Sequence, residues 1–319
     1  LLIFSGCLAL QPPPVFGDEP TIQQAVEHRE LVRKVLDQWQ ARQHQVRTLK
    51  IVVVGQWVCA KGSLDDGNPK TDLVVPLKQT WYFELVKGWY RRDTVSSTIG
   101  IDGNTLHPSS DIFVYDGATY RRFRPPAENR RDGESGQSIS LVDYGAEIDV
   151  SSEFTIEALP ILFSVGYVSW IDQGFGRTPE IPYDPRDYEV LESASRPDNL
   201  VTLLRRASSA TRNDQVEYLV DPQKDGAILK YKTSRAGNGL TFGFRGITIE
   251  TEFAEIESLW FPSKWQASFG EDAGSFAGTS LEVEEIKFNL DLERKFFQIS
   301  DDVLQPGLLV VDNEAPYTV

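Results

Sequence analysis

His28, His44 and His107 are the only histidines in this 319-residue chain, and imidazole is the side chain best matched to proton transfer near neutral pH. His28 falls at the edge of a helical apolar stripe, His44 near the end of that stripe, and His107 beside Pro108 in a loop. No Ser/His/Asp triad or metal cluster is indicated, so solvated or hydrogen-bonded surface roles are expected. Carboxylates are abundant but unpatterned. Asp65-Asp66 with Asn68 and Asp72 gathers oxygens without the regular alternation of a calcium loop, which reads as a solvated turn. Asp221 with Asp225-Gly226 is explained by turn chemistry. Glu282, Glu284 and Glu285 lie on one strand, whereas a glycosidase needs an acid and a base facing each other across a cleft. Surface charge is the expectation there. Cys59 reads as a small buried hydrophobe. No metal, no cofactor and no catalytic residue is expected.

A second kind of chemistry is recognition by aromatic and cationic groups. Trp89-Tyr90-Arg91-Arg92 and Tyr120-Arg121-Arg122-Phe123-Arg124 interleave rings with guanidiniums, a pattern that can hold anionic or π-rich ligands. Successive strand residues point to opposite faces, so at most one of Arg91 and Arg92 can face a cavity. Cross-strand ion pairing is the competing role in a chain with 47 acidic and 32 basic residues, net −15. The same acidity excludes nucleic acid as an expected partner. Trp57, Trp81, Phe83 and Trp89 either line an apolar cavity or fill an ordinary core.

These residues need elements to position them. Thr21 to Gln24 after Pro20 forms a capping box. Ile22, Ala25, Val26, Val32, Val35, Leu36 and Trp39 then give one amphipathic helix running to about Val46. From Lys50 the period is two: Leu73, Val75, Leu77, Trp81, Phe83 and Leu85 share a face. Lys87-Gly88 turns the chain, and Asp116-Gly117 suggests a hairpin with a type I′ turn. Further strands are expected at Tyr188–Leu191, Leu200–Arg206, Val216–Asp221, Ile228–Thr233, Ile247–Phe253, Ser258–Phe269 and Leu281–Leu292. The last carries a phase shift between Val283 and Ile286, which suggests a bulge. The strand from Ile51 to Ala60 is apolar on both faces, so both must be covered. Phe154 to Val165 is too apolar for an exposed loop, and Pro160 makes it a poor central strand; short helical turns over the sheet fit. Stretches at about 127–139, 171–186 and 270–279 read as polar insertions within one domain.

Leu1 to Leu10 is uncharged and apolar but too short to span a bilayer of roughly 30 Å. Residues 1–17 fit the hydrophobic part of a secretory signal cleaved before Asp18, with 18–319 as a single domain. Phe4-Ser5-Gly6-Cys7 alternatively resembles a lipobox, with Cys7 lipidated. The chain contains no Met, so any apolar pocket is built from aromatic and branched side chains.

The order of these features resembles the bacterial outer-membrane lipoprotein-sorting (LolA/LolB-like) superfamily, in an enlarged branch. The helix with Leu31-Val32-Arg33-Lys34-Val35-Leu36 precedes a meander carrying Trp81-Tyr82-Phe83, Gly88-Trp89-Tyr90-Arg91-Arg92-Asp93 and Tyr115-Asp116-Gly117. Tyr218-Leu219-Val220-Asp221-Pro222, Trp260-Phe261-Pro262-Ser263-Lys264 and Phe288-Asn289-Leu290 follow, and the likeness spans roughly residues 21–311. The chain is longer than the compact carriers, and Lys87-Gly88 stands where those carriers place an Arg that holds the lid.

The resemblance implies a mainly β (α+β) fold: a curved antiparallel half-barrel with a long N-terminal helix and short lid helices. It also implies a non-enzymatic, exported protein that binds a lipid or lipoprotein acyl chain. Trp57, Trp81, Phe83, Leu85 and Trp89 are expected to line the concave face. Arg91 is expected at its rim for a lipid headgroup, and Leu159, Ile161, Leu162 and Phe163 are expected to cover it. Expected localisation is the periplasm or cell envelope, with membrane anchoring if Cys7 is lipidated. The alternatives are an envelope sensor or scaffold binding another protein, and a secreted carboxylate-dependent hydrolase.

Overall fold

A computed structural model describes residues 22–62, 69–100, 102–124, 140–143, 156–168, 183–192, 199–206, 215–234, 246–269, 278–299, 309–312 and 316–318. The signal or lipobox at 1–17, the capping residue Thr21, Asp65-Asp66 with Asn68, and most of the three polar insertions lie outside the described residues.

The first element is helix α1, Ile22–Arg42. Strands β1 (Thr48–Cys59), β2 (Leu73–Glu84), β3 (Trp89–Ile99), β4 (Leu106–Tyr115), β5 (Tyr120–Arg124) and β6 (Ser140–Asp143) follow. A short 3-10 turn, Ile156–Ala158, leads into helix α2, Leu159–Ser164. The second run comprises β7 (Tyr188–Glu192), β8 (Val201–Arg206), β9 (Gln215–Asp221), β10 (Ala227–Ser234), β11 (Ile247–Ile256), β12 (Leu259–Phe269) and β13 (Thr279–Phe288). A 3-10 turn at Arg294–Phe297 and strands β14 (Leu309–Asp312) and β15 (Pro316–Thr318) close the described chain.

The described strands form one open, mainly antiparallel sheet in the order β15-β14-β6-β5-β4-β3-β2-β1-β13-β12-β11-β10-β9-β8-β7. Each run is a meander, so neighbours in sequence are neighbours in space; β1 pairing with β13 welds the two runs together. β6 and β14 make a parallel pair. At the centre, Leu49, Ile51 and Val53 of β1 are fully buried on one face; on the other Val52 is 6% exposed but Val54 and Val58 are only half-buried, so the two-sided cover expected of this strand is partial.

The period-two reading of β2 holds, with Val75, Trp81 and Phe83 buried on one face. The anticipated bulge is present, because Val52 pairs with Glu285 and Val53 with Val283, leaving Glu284 as the extra residue. Glu284 and Glu285 are taken up by Lys78 and Lys50, each at 2.6 Å. At the β9–β10 turn Asp225 and Gly226 both adopt positive φ, and the Gly226 amide donates to the Asp221 carbonyl at 3.1 Å.

Three local expectations need correction. The β4–β5 connection is not a two-residue type I′ turn: Tyr115 pairs with Tyr120, leaving four loop residues, and of these only Gly117 has positive φ. The Asp116 carboxylate accepts from the Ala118 and Thr119 amides at 3.0 Å each, which supports the longer loop. The helix stops at Arg42, short of Val46. Its apolar stripe also splits: Val32, Val35, Leu36 and Trp39 are buried, whereas Val26 is 51% exposed.

Candidate functional site: an inner sheet face plugged by a short helix

Paired residues in an antiparallel ladder point to the same side. Phe163 on α2 packs against Tyr231 on β10 with ring centroids 5.3 Å apart, which marks the inner face. From Tyr231 the face runs through Ile249, Ala267 and Thr279 to Trp57 and Val75. A parallel row runs from Phe288 through Leu49, Phe83, Tyr90 and Tyr115 to Tyr120. Between them lies the row Ile286, Ile51, Trp81, Arg92, Phe113, Arg122. The wall is therefore continuous across both meanders, and rings supply much of it.

Helix α2 is the cover over β10 and β12. All six of its residues are buried, with Pro160 in the first turn, where a missing amide hydrogen costs nothing. Its C-terminus is a Schellman motif: the Gly166 amide donates to Phe163 at 3.1 Å and the Tyr167 amide to Leu162 at 2.9 Å. Gly166 has φ +84°, and a Cβ there would collide with the Trp39 carbonyl oxygen. Only glycine lets the end of α2 sit this close to α1.

The end of α1 holds that terminus. The Arg42 guanidinium is 4% exposed and donates to Ser164 O at 2.9 Å, Lys224 O at 3.0 Å and Trp260 O at 3.3 Å. One side chain thus ties α2 to the β9–β10 turn and the start of β12. Burial lowers its pKa to about 10, opposed by nearby Asp225, so it stays charged at neutral pH. Gln43 donates to Gly166 O at 2.9 Å, and the Tyr183 hydroxyl donates to the same carbonyl. Burial pushes the Tyr183 phenol far up, so it remains a proton donor. Beneath the latch, the Trp39 indole donates to Gly226 O at 2.7 Å and meets Tyr183, Tyr188 and Tyr218 edge-on at 5.6–5.9 Å.

Trp57, Trp81 and Phe83 lie on the inner face, and Leu85 is buried just after β2. Trp81, Phe83, Leu85, Leu159, Ile161, Leu162 and Phe163 belong to one contiguous core. Trp81 and Phe83 are stacked with an interplanar angle of 3°. Trp89 and Arg91 do not join them. Register sets Trp89 opposite Glu84 and Arg91 opposite Tyr82, on the other face of the sheet. There the turn at Arg294–Phe297 covers them: Arg91 lies 4.9 Å over Phe296, and Trp89 packs against Phe297 at 5.8 Å. The inward guanidinium of the pair is Arg92, 5% exposed.

That turn is fastened through Asp116. Burial alone would raise its pKa; hydrogen bonds from Gln298 and the Thr119 and Ala118 amides, with the Arg294 charge, hold it at about 2. Sequence reasoning missed both Arg42 and this clasp. The clasp had no periodic signature, and the three carbonyls of Arg42 come from residues at least 122 positions away.

Two surface hollows among the described residues lie elsewhere. One of about 540 Å³ runs along α1 beside Glu30, Arg33 and Asp37. Another of about 330 Å³ lies among β9–β12 beside Lys230, Glu250 and Lys264. Among the described residues no group of three or more His, Cys, Asp or Glu side chains is placed to hold a metal ion. No described helix is long and apolar enough to cross a membrane. The chain matches no protein-family model and no curated protein.

Proposed function

We propose that this chain is a non-enzymatic, exported cell-envelope protein that binds an acyl chain on a half-barrel's concave inner face, with α2 as the lid it displaces. The observation carrying this reading is that a continuous, largely apolar wall is covered over β10 and β12 by a six-residue helix whose C-terminal end is held through side-chain bonds to backbone carbonyls. Such a cover can leave without dismantling the sheet.

Magnitudes limit the ligand. Burying Leu159, Ile161, Leu162 and Phe163 contributes roughly 6–12 kcal/mol in total, at about 1.5–3 kcal/mol per side chain. A displacing ligand has to replace that. A chain of about 16 carbons supplies roughly 12 kcal/mol and one of about 8 only roughly 6. Long-chain lipids therefore fit the reading and short ones do not. The test is lipid extraction and native mass spectrometry of protein purified from its own cell envelope, followed by titration with fluorescent fatty acids of both lengths. Absence of copurifying lipid together with absence of long-chain binding removes the proposal.

A second reading has its own support. The sequence-predicted wall residues Trp81, Phe83 and Leu85 already share a filled core with α2. That favours a scaffold or sensor that binds another protein with its interior closed, and it predicts that α2 amides exchange no faster in the presence of lipid.

A further inference from the structure

The inner face carries a polar cluster that an apolar wall does not need. Arg92 on β3 and Arg122 on β5 flank Phe113 on β4, with guanidinium carbons 4.1 Å and 4.6 Å from the ring centroid. Arg92 also lies 5.1 Å from the Trp81 ring. Two residues along the same face, Asp111 accepts from Arg122 Nη2 at 3.4 Å, and its register partner is Thr94. Arg122 Nε, Thr94 Oγ1 and Asp111 Oδ2 are buried here without a hydrogen-bond partner among the described residues. Buried polar atoms are normally satisfied, and leaving them so is costly. Arg122 Nε and Thr94 Oγ1 can each donate to an oxyanion, and the remaining carboxylate oxygen accepts a hydroxyl hydrogen.

We propose that Arg92, Arg122 and Thr94 bind the oxyanion headgroup of the acyl ligand, a phosphate or carboxylate, with Asp111 taking a neighbouring hydroxyl. This rests on the acyl-binding reading above. Arg92 lies over Phe113 and Trp81, and Arg122 over Phe113, so both charges rest on rings of the wall. The headgroup consequently fixes which end of the chain lies toward β3–β5.

Three probes with a common oleoyl chain separate the possibilities: oleate, oleoyl lysophosphatidylglycerol and monooleoylglycerol, titrated against the intact protein. The expected result is that one or both anionic probes bind roughly ten- to hundredfold tighter than the neutral one, the range for one or two charged hydrogen bonds. Preference for oleate assigns a carboxylate, and preference for the lysophospholipid assigns a phosphate with its hydroxyl. In Arg122→Gln the gap collapses while monooleoylglycerol binding persists. The wild-type comparison needs no variant, so a misfolded Arg122→Gln leaves the test standing. Equal affinity for all three probes overturns the headgroup site alone. Failure of all three to bind overturns the acyl-binding reading beneath it.

Discussion

Replacing Arg42 by Met keeps an unbranched side chain in its slot and removes the guanidinium. Three carbonyls then lose a donor, Ser164 O, Lys224 O and Trp260 O, of which Lys224 O keeps the Ala227 amide at 3.0 Å. A buried acceptor left unsatisfied costs about 1–3 kcal/mol, giving roughly 2–6 kcal/mol for Ser164 O and Trp260 O before relaxation. Against this, the variant no longer buries a charge whose desolvation is large enough to bring its pKa down to about 10. Water reaching the Lys224 and Trp260 carbonyls, which lie at partly buried contacts, recovers more. The net expectation is a loss of about 2–4 kcal/mol. Urea denaturation measures that loss, and hydrogen exchange locates it. Protection should fall first at the Val165, Gly166 and Tyr167 amides, which cap α2, while amides of the β1–β2 ladder keep theirs. If α2 is a lid, association of a long-chain fluorescent fatty acid also speeds up in the variant. A loss below about 0.5 kcal/mol with unchanged exchange at 165–167 would refute the claim that Arg42 holds the helix.

Gly166→Ala forces a Cβ into the Trp39 carbonyl at φ +84°, so a loss of about 2–4 kcal/mol is expected in the same denaturation assay; near-wild-type stability would contradict the close approach of α1 and α2. Asp116 has its pKa depressed to about 2 against an unfolded value of about 3.9. Its stabilisation is therefore present above pH 4 and lost as pH falls through about 2. Asp116→Asn should be less stable than wild type by about 1–2 kcal/mol at pH 7, with the difference shrinking between pH 4 and 2; a difference independent of pH would show that the carboxylate charge is irrelevant to the clasp.

Much of this chain was legible before its structure. The strand phases of β2 and β13, including a bulge between Val283 and Ile286, follow from side-chain alternation, because a two-residue period admits one buried set. That the Pro-containing segment from Phe154 to Val165, buried over 158–165, is no exposed loop was legible from its composition. Sequence could also state that Arg91 and Arg92 must part company, since that is a property of any strand. It could not state which one turns inward. That depends on which residue of β2 each one faces, Tyr82 or Trp81, and register is set by long-range pairing. The same limit explains why Trp89 was grouped with Trp81 and Phe83 although the fold puts it beneath Phe297. Arg42 is the clearest case. Locally it is one more basic residue at a helix end, where cations are ordinary. Only the packing of the end of α1 against α2, the β9–β10 turn and the start of β12 brings three distant carbonyls within reach of its guanidinium and excludes water from it. Periodicity determined what each element buries, and tertiary structure decided what those buried faces meet.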